Sequence, residues 1–213
     1  MSSRPGDRRP YRAGRRAEAA AETRAAILDA ALRLFMERGY GKVTVSDIAR
    51  ESGTAVPTVY ASTGGKAAIL AHLIGEGMDD PIVDETLAAV RASSDPRETV
   101  AAATHGVRID NERYSALLQV LVTAAALDET AAETLTDANR VYREALAVVA
   151  GRLADLHALG KGLTQGRATD ILWFFLGHQS WHLYVADCGW SWNDTEHWLV
   201  EQVSAALLGG RID

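Results

Sequence analysis

The stretch TAVPTVYASTGGK, residues 54–66, lies between two helical patterns and decides how the chain is read. It holds a proline, two valines, a tyrosine and a glycine pair ahead of a lone lysine. Pro57 fits the first turn of a short helix over Ala55–Ala61, where backbone N–H groups have no intrahelical partner in any case. Gly64 and Gly65 permit a tight turn. A new helical pattern then starts at Lys66 and carries Ile69, Leu70, Leu73 and Ile74 on one face.

On the N-terminal side stands TVSDIARESG, residues 44–53. Thr44 followed by Asp47 is a capping-box start with Asp in place of Glu, and Val45, Ile48 and Ala49 make an inward face. Further back, helical spacing begins at Ala21; Ile27, Ala31, Leu34 and Phe35 share a face, and Gly39 ends the run. Two short helices joined at Ser52–Gly53 and buttressed by a longer one form a helix-turn-helix. Residues 1–20 carry Arg4, Arg8, Arg9, Arg12, Arg15 and Arg16 without apolar periodicity, the pattern of a disordered arginine-rich arm.

TRAAILDAALRLFMERGYGKVTVSDIARESGTAVPTVYASTGGKAAIL, residues 23–70, resembles the DNA-binding domain of TetR-type transcriptional regulators. The resemblance rests on the ILDAALRLFMERGY helix, the TVSDIA helix, TVY in the recognition helix and the lysine opening the fourth helix. Many members of that family have Tyr-x-x-Phe here; in this chain Tyr60 is followed by Ala61, Ser62 and Thr63. A looser resemblance, from GLTQGRATDILWFF to the WLVEQVSAALL end, links the C-terminal part to the regulatory domain of one subgroup of the same family.

A recognition helix must be slender enough for a major groove about 12 Å wide. Thr54, Ala55, Val56, Pro57 and Thr58 give such an edge: Thr58 offers a hydroxyl to bases, while Ala55, Val56 and Pro57 suit thymine methyls. Tyr60, Lys66 and Thr44 are placed for phosphate contact, and Val59 for the core. The arginines Arg8, Arg9, Arg12, Arg15 and Arg16 suit a minor groove. TGGK also ends like a phosphate-binding loop, but Tyr60 stands where that motif needs its first glycine and Ala67 where it needs a hydroxyl.

Charge divides the chain. Residues 1–75 carry a net charge of +5 and residues 76–213 a net charge of −11, so only the first part is suited to a polyanion. The single cysteine, Cys188, excludes an internal disulfide and fits a reducing cytoplasm. The longest apolar candidate, ILWFFLGHQSWHLYVA, is broken by His178, Gln179, Ser180 and His182, so no membrane span is expected.

Helical patterns fill the remainder: Pro96–Ile109, Glu112–Leu127, Glu129–Leu159, Thr164–Ala186 and Ser191–Leu208, with Pro81 interrupting the fourth helix. The expected architecture is all-α, with an arm (1–20), a helix-turn-helix domain (21–65) and a larger regulatory and dimerisation domain (66–213). Ile171, Leu172, Phe175, Leu176 and Leu183, with Trp198, Leu199, Val203, Leu207 and Leu208, give more apolar surface than one bundle face needs. In the resembled family the last two helices pair with those of a second subunit.

The resemblance further implies a small-molecule effector pocket, for which Tyr114, Tyr142, Trp173, Phe174, His178, Trp181 and His182 are the candidates. His178 and His182 stand four apart, as a metal pair would, but no third ligand can be named; neither metal nor cofactor is expected. No nucleophile elbow or phosphate loop marks an enzyme. The sequence therefore reads as a ligand-responsive, homodimeric repressor of a pseudo-palindromic double-stranded DNA operator. The competing reading is a helical small-molecule-binding protein or enzyme without DNA binding.

Overall fold

The computed structural model describes residues 8–209, with side chains from residue 14 onward. Ten α-helices account for the described residues: α1 (Arg8–Arg38), α2 (Val45–Glu51), α3 (Val56–Thr63), α4 (Lys66–Met78), α5 (Pro81–Ala92), α6 (Pro96–Ala125), α7 (Glu129–Asp155), α8 (Gln165–Leu176), α9 (His178–His182) and α10 (Trp192–Leu207). A 3-10 turn at Tyr40–Lys42 joins α1 to α2, and a π-helical turn at Leu183–Asp187 follows α9. No strand occurs among the described residues; only an isolated antiparallel bridge links Leu159 and Leu208.

The chain forms two compact units, one made of residues up to 75 together with 120–134, the other of 76–119 and 135 onward. In the first, α1 packs on both α2 and α3, and these two pack on each other. Ile27, Ala30, Ala31, Leu34 and Phe35 of α1, Ile48 of α2 and Val59 of α3 are buried almost completely. α1 stops at Gly39, whose φ of 79° is in the left-handed region and whose N–H donates to Phe35 O. Gly53, with φ 67°, makes the corner between α2 and α3. Leu121 and Ala124 of α6 and Ala131 of α7 are buried in the same unit.

In the second unit the core joins Val90, Val100, Ala103, Leu146, Val149, Leu153, Leu172, Leu176, Trp181, Leu199, Val203 and Leu207. α8 packs on α10. The end of α10 is tied down by Gly160 N–H donating to Leu207 O and Gly209 N–H donating to Ala158 O.

Three sequence expectations are corrected. Residues 8–20 do not form an unstructured arm; they continue α1, whose alanine-rich stretch carries good helix formers. Residues 1–7 lie outside the described residues. The two helices expected over Pro96–Ile109 and Glu112–Leu127 are one, α6. Asn111 does not end a helix there, because its amide donates back to Val107 O at 2.9 Å within the same helix.

The helix expected over Thr164–Ala186 breaks at Gly177, where a Cβ would fall 2.5 Å from Trp173 O. The first ten residues of α4 and residues 120–134 group with the helix-turn-helix in the first unit.

Candidate functional site

The helix-turn-helix presents one edge to solvent. Ala55, Pro57, Thr58 and Tyr60 are exposed, Thr54 and Val56 are half-buried, and Val59 points inward with no exposure. Tyr60 is 55% exposed. Thr54 is fixed at the start of α3 by its N–H donating to Ala49 O and by a hydroxyl contact with Ser52 at 2.9 Å. The far end of α3 is held to α1 by the Arg24 guanidinium, which donates to Ser62 O and reaches His72 of α4. Thr63, at the phenylalanine position of the Tyr-x-x-Phe pattern in the resembled family, is buried and donates its hydroxyl proton to Val59 O at 2.9 Å. These contacts anchor α3 without an aromatic at that position.

Thr44 forms a full capping box. Its hydroxyl accepts from Asp47 N–H at 3.1 Å, and its own N–H donates to the Asp47 carboxylate at 3.1 Å. The hydroxyl proton also goes to that carboxylate, at 2.6 Å. Asp47 is held down to about 2, first by the Thr44 side-chain hydrogen bond, then by the Thr44 backbone and Arg50. The Thr44 hydroxyl proton is therefore already engaged; the α2 terminus keeps backbone N–H groups and an exposed Lys42 beside it.

Lys66 does not point freely outward. Its ammonium donates to Tyr40 O at 2.9 Å and lies 4.0 Å from the centroid of the Tyr40 ring. Burial pulls its pKa down, opposed by the nearby Asp128 carboxylate. Tyr40 donates its hydroxyl proton to Asp128 at 3.0 Å, and Asp128 also accepts from Ala131 N–H at the start of α7. Arg15 and Arg16 are exposed on α1. The side chains of Arg8, Arg9 and Arg12 lie outside the described ones.

The effector candidates divide. Tyr142, Trp173 and His178 come together: Tyr142 and Trp173 meet edge-on at 5.6 Å, Trp173 and His178 at 6.2 Å. The Tyr142 hydroxyl donates to Leu176 O at 2.8 Å. His178 is 8% exposed, its Nε2 has no partner among the described residues, and burial lowers its pKa. Trp181 is fully buried, stacked on Trp192 at 5.8 Å, with Nε1 also unpartnered. Tyr114 donates to Asp80 at 2.7 Å.

Phe174 is corrected: it is 71% exposed, because it faces away from the side of α8 that carries Leu172 and Leu176 into the core. His182 is half-buried and 3.9 Å from Asp187, away from any metal group. Among the described residues no three His, Cys, Asp or Glu side chains are grouped to hold a metal ion. No described helix is long and apolar enough to cross a membrane.

A helix-turn-helix in which α3 shows its small residues and tyrosine to solvent has the form of a DNA-reading domain, and the comparisons agree. Residues 27–73 match the model of the family described as bacterial regulatory proteins, tetR family. The HTH-type transcriptional regulator BetI of Agrobacterium fabrum is 35% identical over 111 residues, which make up 50% of this chain and 53% of that protein. The chain spans about half the length, or less, of the curated relatives it matches.

Among solved structures, NalD, the secondary repressor of the MexAB-OprM multidrug efflux pump in Pseudomonas aeruginosa, superposes with a TM-score of 0.71 at 22% identity, over 90% of this chain and 98% of that one. A protein from Saccharomonospora viridis described as a transcriptional regulator, in complex with choline, superposes with a TM-score of 0.69 at 18% identity, over 89% of this chain and 100% of that one. Likeness at such identities shows the fold alone. Residues 27–73 are thus similar to the DNA-binding domain of the tetR family, and the relative and neighbours named above are described as transcriptional regulators or repressors.

Proposed function

We propose that this chain is a ligand-responsive transcriptional repressor, acting in the cytoplasm as a homodimer on a pseudo-palindromic DNA operator. The observation that carries the reading is the exposed edge of α3, with Pro57, Thr58 and Tyr60 outward and Val59 inward. One such helix reads few bases. Two copies about 34 Å apart enter successive major grooves, and a small change in that spacing abolishes the fit. Effector binding in the second unit acts by biasing that spacing.

Dimerisation is supported by apolar surface on and after α8. Phe174 is 71% exposed, Leu183 48% and Trp190 38%. Leu172, Leu176, Leu199, Val203 and Leu207, which the sequence placed on the same face, are wholly buried within the chain and belong to its own core. A gel-shift titration with duplex from the gene's own upstream region tests the reading. Retardation at nanomolar protein, lost on unrelated duplex at 150 mM salt, supports it; equal or absent binding on both overturns it.

A further inference from the structure

α1 is longer than the domain it serves. It begins at Arg8, yet residues 14–22 are all exposed, and burial in the helix-turn-helix core starts only at Ile27. At 1.5 Å per residue the stretch from residue 8 to 22 adds about 22 Å of helix. It carries five arginines, at positions 8, 9, 12, 15 and 16, against two carboxylates, Glu18 and Glu22. With about 100° between successive residues, the five arginine positions fall within about 120° of the helix circumference.

That arc continues the face with which α1 meets its neighbours. Eighteen residues make about five turns, so position 9 lies on the side of Ile27, position 12 on that of Ala30, position 15 on that of Arg33 and position 16 on that of Leu34. Ile27, Ala30 and Leu34 are buried in the core that α1 forms with α2 and α3, and Arg33 pairs with Glu51 of α2 at 3.2 Å. Position 8 maps instead onto the exposed Ala26, at the edge. The packed part of α1 opens beside the end of α3, where Arg24 donates to Ser62 O, two residues after the exposed Tyr60. The arginine face therefore runs on from the end of the reading edge, on the side of α1 that the helix-turn-helix occupies.

We propose that this arginine face of α1 is a second nucleic-acid-binding surface, which lies along the phosphates of the duplex beside the base pairs that α3 reads. The assignment rests on the DNA-binding reading above and deepens it. Neither Arg15 nor Arg16 is paired with a carboxylate among the described residues. Like charges three and four residues apart on a helix repel, and cations near its N-terminal end oppose its dipole. The first turn of α1 has no acidic residue to relieve this, and a row of phosphates relieves both. A helix about 10–12 Å across does not enter a minor groove about 6 Å wide, so the contact is with the backbone rather than the groove floor. On the other side of the extension stand Ala17, Ala20 and Ala21, which give a lipid surface no large apolar anchor.

The test uses the full chain and two duplexes, one from the gene's own upstream region and one unrelated, titrated between about 50 and 200 mM salt. A variant with Arg9→Gln, Arg12→Gln, Arg15→Gln and Arg16→Gln keeps good helix formers and should melt like the parent. It should bind both duplexes about tenfold more weakly, with the slope of log K against log salt lowered by about three. A second variant, with Arg12→Ala, Ala13→Arg, Arg16→Ala and Ala17→Arg, keeps the net charge and moves two cations about 100° round the helix. Its slope should fall by about one to two. At Gly14 a Cβ meets nothing within 4 Å. Gly14→Ala should tighten both duplexes by about two- to fivefold, because alanine holds the extension helical before binding.

An unchanged salt slope in the four-glutamine variant overturns the proposal. So does parental binding by the face-swapped variant, or weaker binding by Gly14→Ala; either would make the arginines an irregular basic tail. The two duplexes keep this inference apart from the repressor reading. A parent that prefers its upstream duplex, with arginine variants of the same slope, is the proposed repressor without this surface. A parent that binds both duplexes equally, and through the arginine face, has the surface and is not the proposed repressor. A parent that retards neither duplex at low salt overturns both.

Discussion

The Lys66 ammonium is held between the backbone oxygen and the ring face of Tyr40, at 2.9 and 4.0 Å, so one cation serves both the turn after α1 and the start of α4. Two N–H donors remain for a phosphate. Lys66→Ala should therefore do two things: lower stability by about 1 kcal/mol, and lower affinity for every duplex while reducing the slope of log K against log salt by about one. A melting curve and a salt titration separate the effects. A fall in stability with an unchanged slope would leave Lys66 a structural residue only.

Thr58 and Tyr60 should respond differently to truncation. Thr58→Ala removes an exposed hydroxyl from the leading turn of α3, and its effect should vary with sequence, by about 1–3 kcal/mol at the base it reads. Tyr60→Phe keeps the ring and should weaken all duplexes alike, as loss of a phosphate contact does. Binding to a panel of single-base operator variants distinguishes the two patterns.

The capping box makes a prediction independent of DNA. Thr44→Ala leaves Asp47 N–H without its side-chain acceptor and should cost about 1 kcal/mol in denaturant unfolding. Asp47 is held below its ordinary value, so the stabilisation it brings is present above pH 4 and is lost as pH falls towards 2. In Thr44→Ala that acid sensitivity should shrink, which unfolding measured between pH 5 and 2.5 would reveal.

Gly106 sits where α5 and α6 touch. A Cβ there would lie 1.9 Å from Thr86 Oγ1 and 2.5 Å from its methyl carbon. Alanine is the better helix former by about 1 kcal/mol, yet the clash outweighs this, and Gly106→Ala should destabilise by roughly 1–3 kcal/mol. Adding Thr86→Ser removes the methyl and should restore part of the loss; thermal unfolding of the double variant checks it.

Asp110 predicts the opposite dependence on pH from Asp47. Burial, then the negative charge of Asp80, pushes its folded pKa up to about 6, above that of the unfolded chain, so the native state binds the extra proton between pH 4 and 6. Stability from this group falls as pH rises through that window and levels off above it. Asp110→Asn should therefore stabilise the protein at pH 7.5, by roughly 1–2 kcal/mol after allowing for partial exposure, and have little effect at pH 4.5. A melting temperature lowered at both pH values would refute the strained-carboxylate reading.

Much of this molecule was open to reading from the chain alone because its signals are local. Helical spacing, Pro57 in a first turn, Gly39 and Gly53 at corners and the Thr44–Asp47 pair each act within a few residues, and together they define an all-helical fold with a helix-turn-helix. The basic first third and acidic remainder needed only counting. What tertiary structure alone decided depends on partners far along the chain. Lys66 turns inward because Tyr40 lies 26 residues before it. Phe174 faces solvent while Leu172 and Leu176 do not, because α10 covers only one side of α8. Arg113, on the face of α6 that Asp110 shares, is claimed by Asp80, 33 residues earlier. Periodicity reports which residues share a face, but burial and electrostatic pairing depend on what another segment brings to that face.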